Sequence, residues 1–446
     1  MSDHRKRKLI LMSAAGALAV LIVIIAGQSA SGKRLGEEPE AHPVPVNLNE
    51  TLTNEMSDTS CLAGFDRIVN DYLTYWGLHG ASLAMMRNDS LLFAKGYGEA
   101  DSGKKMGPGN ILRMASVSKL VTAVGIMVLQ DRGKLNLKDH VFGPDGILND
   151  SIYNAAIKDT LYYRTTVEDL LRHKGGFSKK GGDPMFSTRW IMMQNGWSEV
   201  PTQEQLMELQ LKRHVKFVPG TAQEYSNFGY LALSMVIEKV SGMDYETFIQ
   251  ENVLRPAGCV DFHIAGNYYG QKQPNEVRYY VQHDDEPADE FNNSGRKVTR
   301  CYGGNNVTGL SGAGAWVAST PELALLVASI DGKPEVPDII SKESVDLMTE
   351  YLGEGIYSLG WNDTKDGNWT RTGTFAGTSA LIKYFPDGEC WIFITNTSTY
   401  KGPGLARFTA ELFDKLKTKY SSKFPSRNMF YPPHQETSGD EEWFDY

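Results

Sequence analysis

Two stretches near opposite ends of the chain carry the same pattern, and together they restrict the fold more than anything between them. Gly80–Asp101, "GASLAMMRNDSLLFAKGYGEAD", is two apolar runs around Arg87-Asn88-Asp89, the pattern of a β-hairpin. Thr378–Ser398, "TSALIKYFPDGECWIFITNTS", repeats it around Pro386-Asp387-Gly388, a turn sequence. An amphipathic stretch, Leu62–Leu78, precedes the first hairpin, and another, Gly404–Tyr420, follows the second. A sheet built from these hairpins must cover its apolar faces, and the two terminal helices can cover one of them. Between the hairpins the helical period dominates, in Thr165–Phe177, Asn227–Gly242 and Tyr245–Gly258. The expected fold class is α/β in the α+β sense: an antiparallel sheet, flanked by N- and C-terminal helices, with a mostly helical insertion.

The 446 residues, 41% hydrophobic and 22% charged, are enough for one large domain with an insertion. That domain is expected at 59–425. Ahead of it, His4–Lys8 is a run of basic groups, and Leu9–Gly27 is 19 residues without a charge. As a helix this stretch would reach about 28 Å, close to one bilayer core. We expect a cytoplasmic basic segment at 1–8, a transmembrane anchor or signal segment at 9–27 and a polar, proline-bearing linker at 28–58. Both readings of 9–27 export the domain: anchored with the domain extracytoplasmic (periplasmic), or secreted after cleavage. Residues 426–446 read as an acidic tail. A net charge of −9 with no basic stripe excludes nucleic acid as an expected partner. The four cysteines form no CxxC pair, and the nine histidines show no ligand spacing. No metal and no cofactor is expected. If the domain is exported, one or two disulfides are open to it, unpaired by sequence.

The chemistry is expected to centre on Ser116 and Lys119. Ser-x-x-Lys is a cheap motif; a chain of this length should hold about one or two by chance. Its matches include Ser102/Lys105 in a turn-rich loop, Ser398/Lys401 after a strand, and Ser116/Lys119. Only the last opens an apolar helix, "SVSKLVTAVGIMVLQ". Residues three apart share a helix face, so the amine can reach the hydroxyl. Burial and the helix N-terminus both disfavour the ammonium form, which suits a lysine that accepts the serine proton. The bland alternative is a serine N-cap followed by a snorkelling lysine. A second element, Tyr225-Ser226-Asn227, ends a loop and opens another helix. Its bland reading is Asn227 as an N-cap. A third, Arg371-Thr372-Gly373-Thr374, leads into the final hairpin and joins a cation, hydroxyls and an open backbone.

These three elements, in this order and context, resemble the serine β-lactamase and penicillin-binding superfamily, and within it the class C β-lactamase-like serine hydrolases. The likeness continues through "TTVEDLLRHKGGF", through "FVPGTAQEYSNFGYLALSMVIEKVSGMDYETFIQENVLRPAG" and through Gly309–Gly332, and covers roughly residues 60 to 420. It implies a β-lactamase/transpeptidase-like fold and a nucleophilic Ser116, with Lys119 and Tyr225 moving its proton. Asn227 would bind Lys119 and a substrate amide. The N–H groups of Ser116 and Thr374 would form an oxyanion hole, and Arg371 and Thr372, beside the open backbone of Gly373, would hold a substrate carboxylate. Two departures stand out. Arg371 replaces the usual Lys or His, and "HKGGF" replaces His-Thr-Ser-Gly-Leu. Arginine keeps the charge but gives up no proton. His173, in that segment, is expected to brace the loop after its helix.

The implied activity is a serine hydrolase acting through an acyl-enzyme on an amide or ester. The leading expectation is a D-alanyl-D-alanine carboxypeptidase-like or esterase reaction. The alternatives are a β-lactamase and a non-catalytic protein that binds cell-wall peptides. The expected partners are a small-molecule or peptide substrate, peptidoglycan among them, and the membrane through 9–27.

Overall fold

Asn88 and Asp89 both adopt left-handed backbone (φ 45° and 55°), the pairing that closes a two-residue hairpin with the native strand twist. They join β1 (Gly80–Arg87) to β2 (Ser90–Asp101), just after α1 (Ala63–Trp76). The computed structural model that shows this describes residues 47–180, 182–282 and 287–431. A short strand β3 (Lys104–Lys105) follows, then α2 (Ser118–Asp131), α3 (Val167–Leu171), α4 (Asn227–Ser241) and α5 (Thr320–Ala328). The chain returns through β4 (Trp369–Phe375), β5 (Thr378–Tyr384) and β6 (Glu389–Thr395) to α6 (Leu405–Tyr420). The sheet is antiparallel, in the order β4-β5-β6-β1-β2-β3. The two end hairpins are joined at its centre, where Ala81 faces Thr395 and Arg87 faces Glu389.

Strand alternation divides β1 between two cores. Ala81, Leu83 and Met85 pack with Phe65, Val69, Leu73 and Trp76 of α1 and with Leu412, Phe413 and Leu416 of α6. The Tyr72 hydroxyl and Thr409 Oγ1, 2.8 Å apart, tie these two helices together. Ala84 and Met86 face the larger core, built on α2, α4 and α5. The expected sheet with both terminal helices on one face is therefore present, with the helical middle on the other. The helical middle is more broken than its periodicity suggests. α3 stops after five residues, and Tyr245–Ile249 runs into a wider turn at Gln250–Leu254.

The expected domain limits are too narrow. Leu48 and Leu52, assigned to the linker, are buried in the larger core, and Ser57 Oγ donates to Ala94 O. At the other end, Met429 and Phe430 are buried and Arg427 donates to Leu92 O. Both flanks looked polar in sequence because few apolar residues anchor them. The basic segment, the apolar stretch 9–27, most of the linker and residues 432–446 lie outside the described residues. Among the described residues no helix is long and apolar enough to cross a membrane. Cys259, Cys301 and Cys390 are buried and Cys61 is exposed.

Candidate active site

The segment before α2 is shaped to present one side chain. Leu112–Arg113 pairs with Trp316–Ala318, and Met114 N–H donates to Trp316 O. Ala115 then takes a left-handed backbone, φ 47°, a conformation that costs an alanine roughly 1 kcal/mol or more. A single 3₁₀ turn, Ala115–Val117, leads into α2. Neither this turn nor α2 has a side-chain cap. Ser116 is therefore no N-cap, and its hydroxyl faces a cavity of about 290 Å³.

Two side chains reach that hydroxyl, those of Lys119 and Tyr225. Lys119, one turn on, is fully buried, with Nζ 3.2 Å from Ser116 Oγ. It also donates to Asn227 Oδ1 (2.8 Å) and Ala313 O (2.5 Å). The Tyr225 hydroxyl donates to Ser116 Oγ at 2.7 Å. Burial, and then the charge of Arg371, hold the lysine pKa well below its ordinary value, against an opposing pull from Asp183. Lys119 thus does not snorkel. Asn227 is no cap either: Ser226 caps α4, its Oγ accepting from Gly229 N–H at 3.1 Å. Asn227 Oδ1 receives Lys119, and its Nδ2 donates to Asp183 at 2.8 Å.

His173 has the bracing part expected of it. Its Nδ1 accepts from Ser226 N–H at 3.1 Å, and its ring lies 4.4 Å from that of Tyr225. Burial, then the charges of Lys119 and Arg371, keep the imidazole neutral by holding its pKa well below the ordinary value. A neutral ring leaves Nδ1 free to accept. The loop that carries Tyr225 is thereby fixed from the end of α3.

The edge strand β4 closes the site. Gly373 is indispensable to the approach: a Cβ there would lie 2.2 Å from Met114 O and 2.9 Å from Ser116 N. The β4–β5 connection is two residues long, with Phe375 opposite Thr378. The closing pair of such a hairpin exchanges hydrogen bonds and the next pair does not. Thr374 N–H therefore points off the open edge, and Thr374 lines the same cavity as Ser116.

Arg371 departs from expectation. Its side chain is 1% exposed and does not line the cavity. Nε and Nη2 both donate to Ser116 O, at 2.8 and 2.6 Å. The guanidinium lies under the serine and does not face a substrate carboxylate. Strand alternation is the reason: Arg371 shares a face with Gly373, and Thr372 and Thr374 share the other. That rule, applied to the four residues, already forbids Arg371 and Thr372 from facing the same ligand. Sequence reasoning also missed Asp183 and Asn362. Asn362 Oδ1 accepts from Thr372 N–H (2.7 Å) and Thr372 Oγ1 (3.2 Å). Both sit in loops without period, and no sequence signal marks them.

The fold and its family define a serine hydrolase of the β-lactamase/transpeptidase type. A family profile described as Beta-lactamase matches residues 65–412, and the chain belongs to that family. Among curated proteins it is 24% identical over 424 residues to a putative D-alanyl-D-alanine carboxypeptidase of Escherichia coli O157:H7, covering 88% of both chains. It is 25% identical over 188 residues to penicillin-binding protein 4* of Bacillus subtilis (strain 168), covering 42% of this chain and 37% of that protein. Among solved structures, the D-amino acid amidase of Ochrobactrum anthropi SV3, complexed with L-phenylalanine amide, shares the fold. Its TM-score is 0.62 at 18% identity, over 81% of this chain and 99% of that one.

Proposed function

We propose that Ser116 is the acylated nucleophile of a two-step hydrolase for amide or ester bonds beside a D-amino-acid residue, in carboxypeptidase-like or esterase reactions. The observation that carries this is the lysine's hydrogen-bond set. Asn227 Oδ1 and Ala313 O can only accept. A neutral Lys119 has two N–H groups and one lone pair, so both N–H groups go to those oxygens. The lone pair is left facing Ser116 O–H at 3.2 Å. This is the geometry of a general base on its nucleophile. Tyr225 hands a proton across the cavity to the departing group. The N–H groups of Ser116 and Thr374 receive the oxyanion. Arg371, bonded to Ser116 O, holds the serine's own peptide in place and adds positive charge beneath it.

The relatives' names support a D-amino-acid substrate and a peptide of the cell wall. The basic run and apolar stretch of 4–27 support an exported domain, anchored or released. The test is active-site labelling with a fluorophosphonate and a fluorescent penicillin, followed by hydrolysis of D-Ala-D-Ala peptides, nitrocefin and p-nitrophenyl esters. Wild type should label and Ser116→Ala should not. Equal labelling of the two, or none of either, rejects Ser116 as the nucleophile. Labelling without hydrolysis of any substrate favours a binding protein.

A further inference from the structure

We infer that a second cavity, beside the catalytic one, binds a neutral sugar ring. This binding does not depend on the proposed nucleophile. The two cavities have one lining residue in common, Phe186.

The second cavity lies between the start of the helix Thr188–Asn195 and two loops, around Asp289 and Asn305. Its volume is about 260 Å³, below the range of sites for drug-sized ligands and suited to a single ring. Trp190 and Phe186 form its apolar wall, 47% and 43% exposed. The segment has a core to pack into, because Met185, Ile191 and Met192 are each 3% exposed or less. The two largest rings are nevertheless left in water. Neither stacks on another aromatic ring among the described residues.

The polar wall holds hydrogen-bonding groups that the protein does not use. Arg189 Nε is buried without a partner. Its Nη1 lies 3.8 Å from Asp289 Oδ2, beyond a hydrogen bond. The Asn305 side-chain amide makes no hydrogen bond among the described residues. A buried donor without an acceptor is unfavourable, and a ligand that supplies the acceptor recovers that loss.

These groups select the ligand by elimination. An anion that satisfies Arg189 lies against Asp289, and a cation that satisfies Asp289 lies against Arg189. A purely apolar ligand covers the rings but leaves Arg189 and Asn305 unpaired. A neutral sugar ring meets every demand. Its hydroxyls both donate and accept, so its rim can meet Arg189, Asp289 and Asn305 while its C–H face covers Trp190. The turn that carries Phe186 begins at Asp183, whose carboxylate accepts from Asn227 Nδ2 at 2.8 Å. A sugar held here therefore sits beside the catalytic residues without touching them.

The test uses the full chain and saturation-transfer NMR with N-acetylglucosamine as the probe. The sugar should bind saturably to wild type and to Ser116→Ala alike. Trp190→Ala should weaken binding about 10-fold or more, the weight of an aromatic anchor. Asn305→Leu, on the other wall, should weaken it by about the same factor, and a melting curve shows that each variant is folded. D-Alanine and inorganic phosphate, a zwitterion and an anion, should not displace the sugar. Absence of saturable binding, displacement by either competitor, or an affinity unchanged in either folded variant overturns the inference. Loss of sugar binding in folded Ser116→Ala overturns it too, because the sugar would then occupy the catalytic cavity. Failure of wild type to label with a fluorophosphonate, with sugar binding intact, would reject the nucleophile and leave the sugar site standing.

Discussion

At Lys119 the identity of a single buried nitrogen decides the chemistry. Its low pKa has three sources, burial and the charges of Arg371 and Lys179, and one opponent, Asp183. Two substitutions separate them. Lys119→Arg installs a cation that cannot give up its proton; the second-order rate of fluorophosphonate labelling should fall by about 10²- to 10⁴-fold, the usual value of a general base, with the folded state retained in a melting curve. Asp183→Asn removes the carboxylate that raises the lysine pKa. The amine then loses its proton at lower pH, so the acidic limb of kcat/KM should move to lower pH. A purely structural role for Asp183 would reduce the rate without moving that limb, and Asp183→Glu should restore its position. The four residues around the hydroxyl were legible in sequence because each sits at or beside a helix start, where period and loop composition change. Asp183 and Asn362 were not, because their loops carry no period and their importance lies in which hydrogen each receives.

At the element scale the site is a meeting of one turn and one strand edge. Gly373 allows β4 to pass against the Met114–Ser116 turn at a distance no side chain permits. Gly373→Ala puts a Cβ 2.2 Å from Met114 O, so the strand must move away from the serine. Thr374 N–H moves with it. Loss of one oxyanion donor costs about 10²- to 10³-fold in kcat, and that fall should appear with KM changed far less. Crowding at the turn should also lower the melting temperature. If kcat is unchanged, β4 does not supply the donor. The hairpins and terminal helices were readable at this scale because strand period, turn residues and helix period agree across each of them. The face that Arg371 presents was read wrongly for a different reason. Charge was given more weight than alternation, and alternation is set by the backbone, whatever the side chain carries.

At the scale of the whole molecule, acidic groups are buried where the sheet meets the rest of the domain, and they tie stability to pH. Asp89, at the β1–β2 turn, is 1% exposed, and burial, then the charge of Asp331, push its pKa up to about 7. Asp331 accepts from the Tyr384 hydroxyl at 2.7 Å and from Lys333 N–H at 3.0 Å, and burial raises its pKa too. Asp338 nearby is raised to about 6. Below about pH 4 the folded and unfolded chains both hold these protons. Between about pH 4 and 7 the unfolded chain releases them while the folded one keeps them, so stability falls as pH rises. Above about pH 7 the loss is complete. Asp89→Asn keeps the left-handed turn geometry that asparagine tolerates and keeps an oxygen for Val336 N–H, which Asp89 Oδ2 accepts now, but carries no proton to lose. It should leave the melting temperature at pH 5 nearly unchanged and raise it at pH 8. The rise from 3.8 to about 7 sets an upper bound of about 4 kcal/mol at pH 8, roughly 5 °C for a domain of this size. Melting curves of the two proteins at both pH values decide it: a parallel shift at pH 5 and pH 8 would mean that the turn, and not the buried proton, sets the difference.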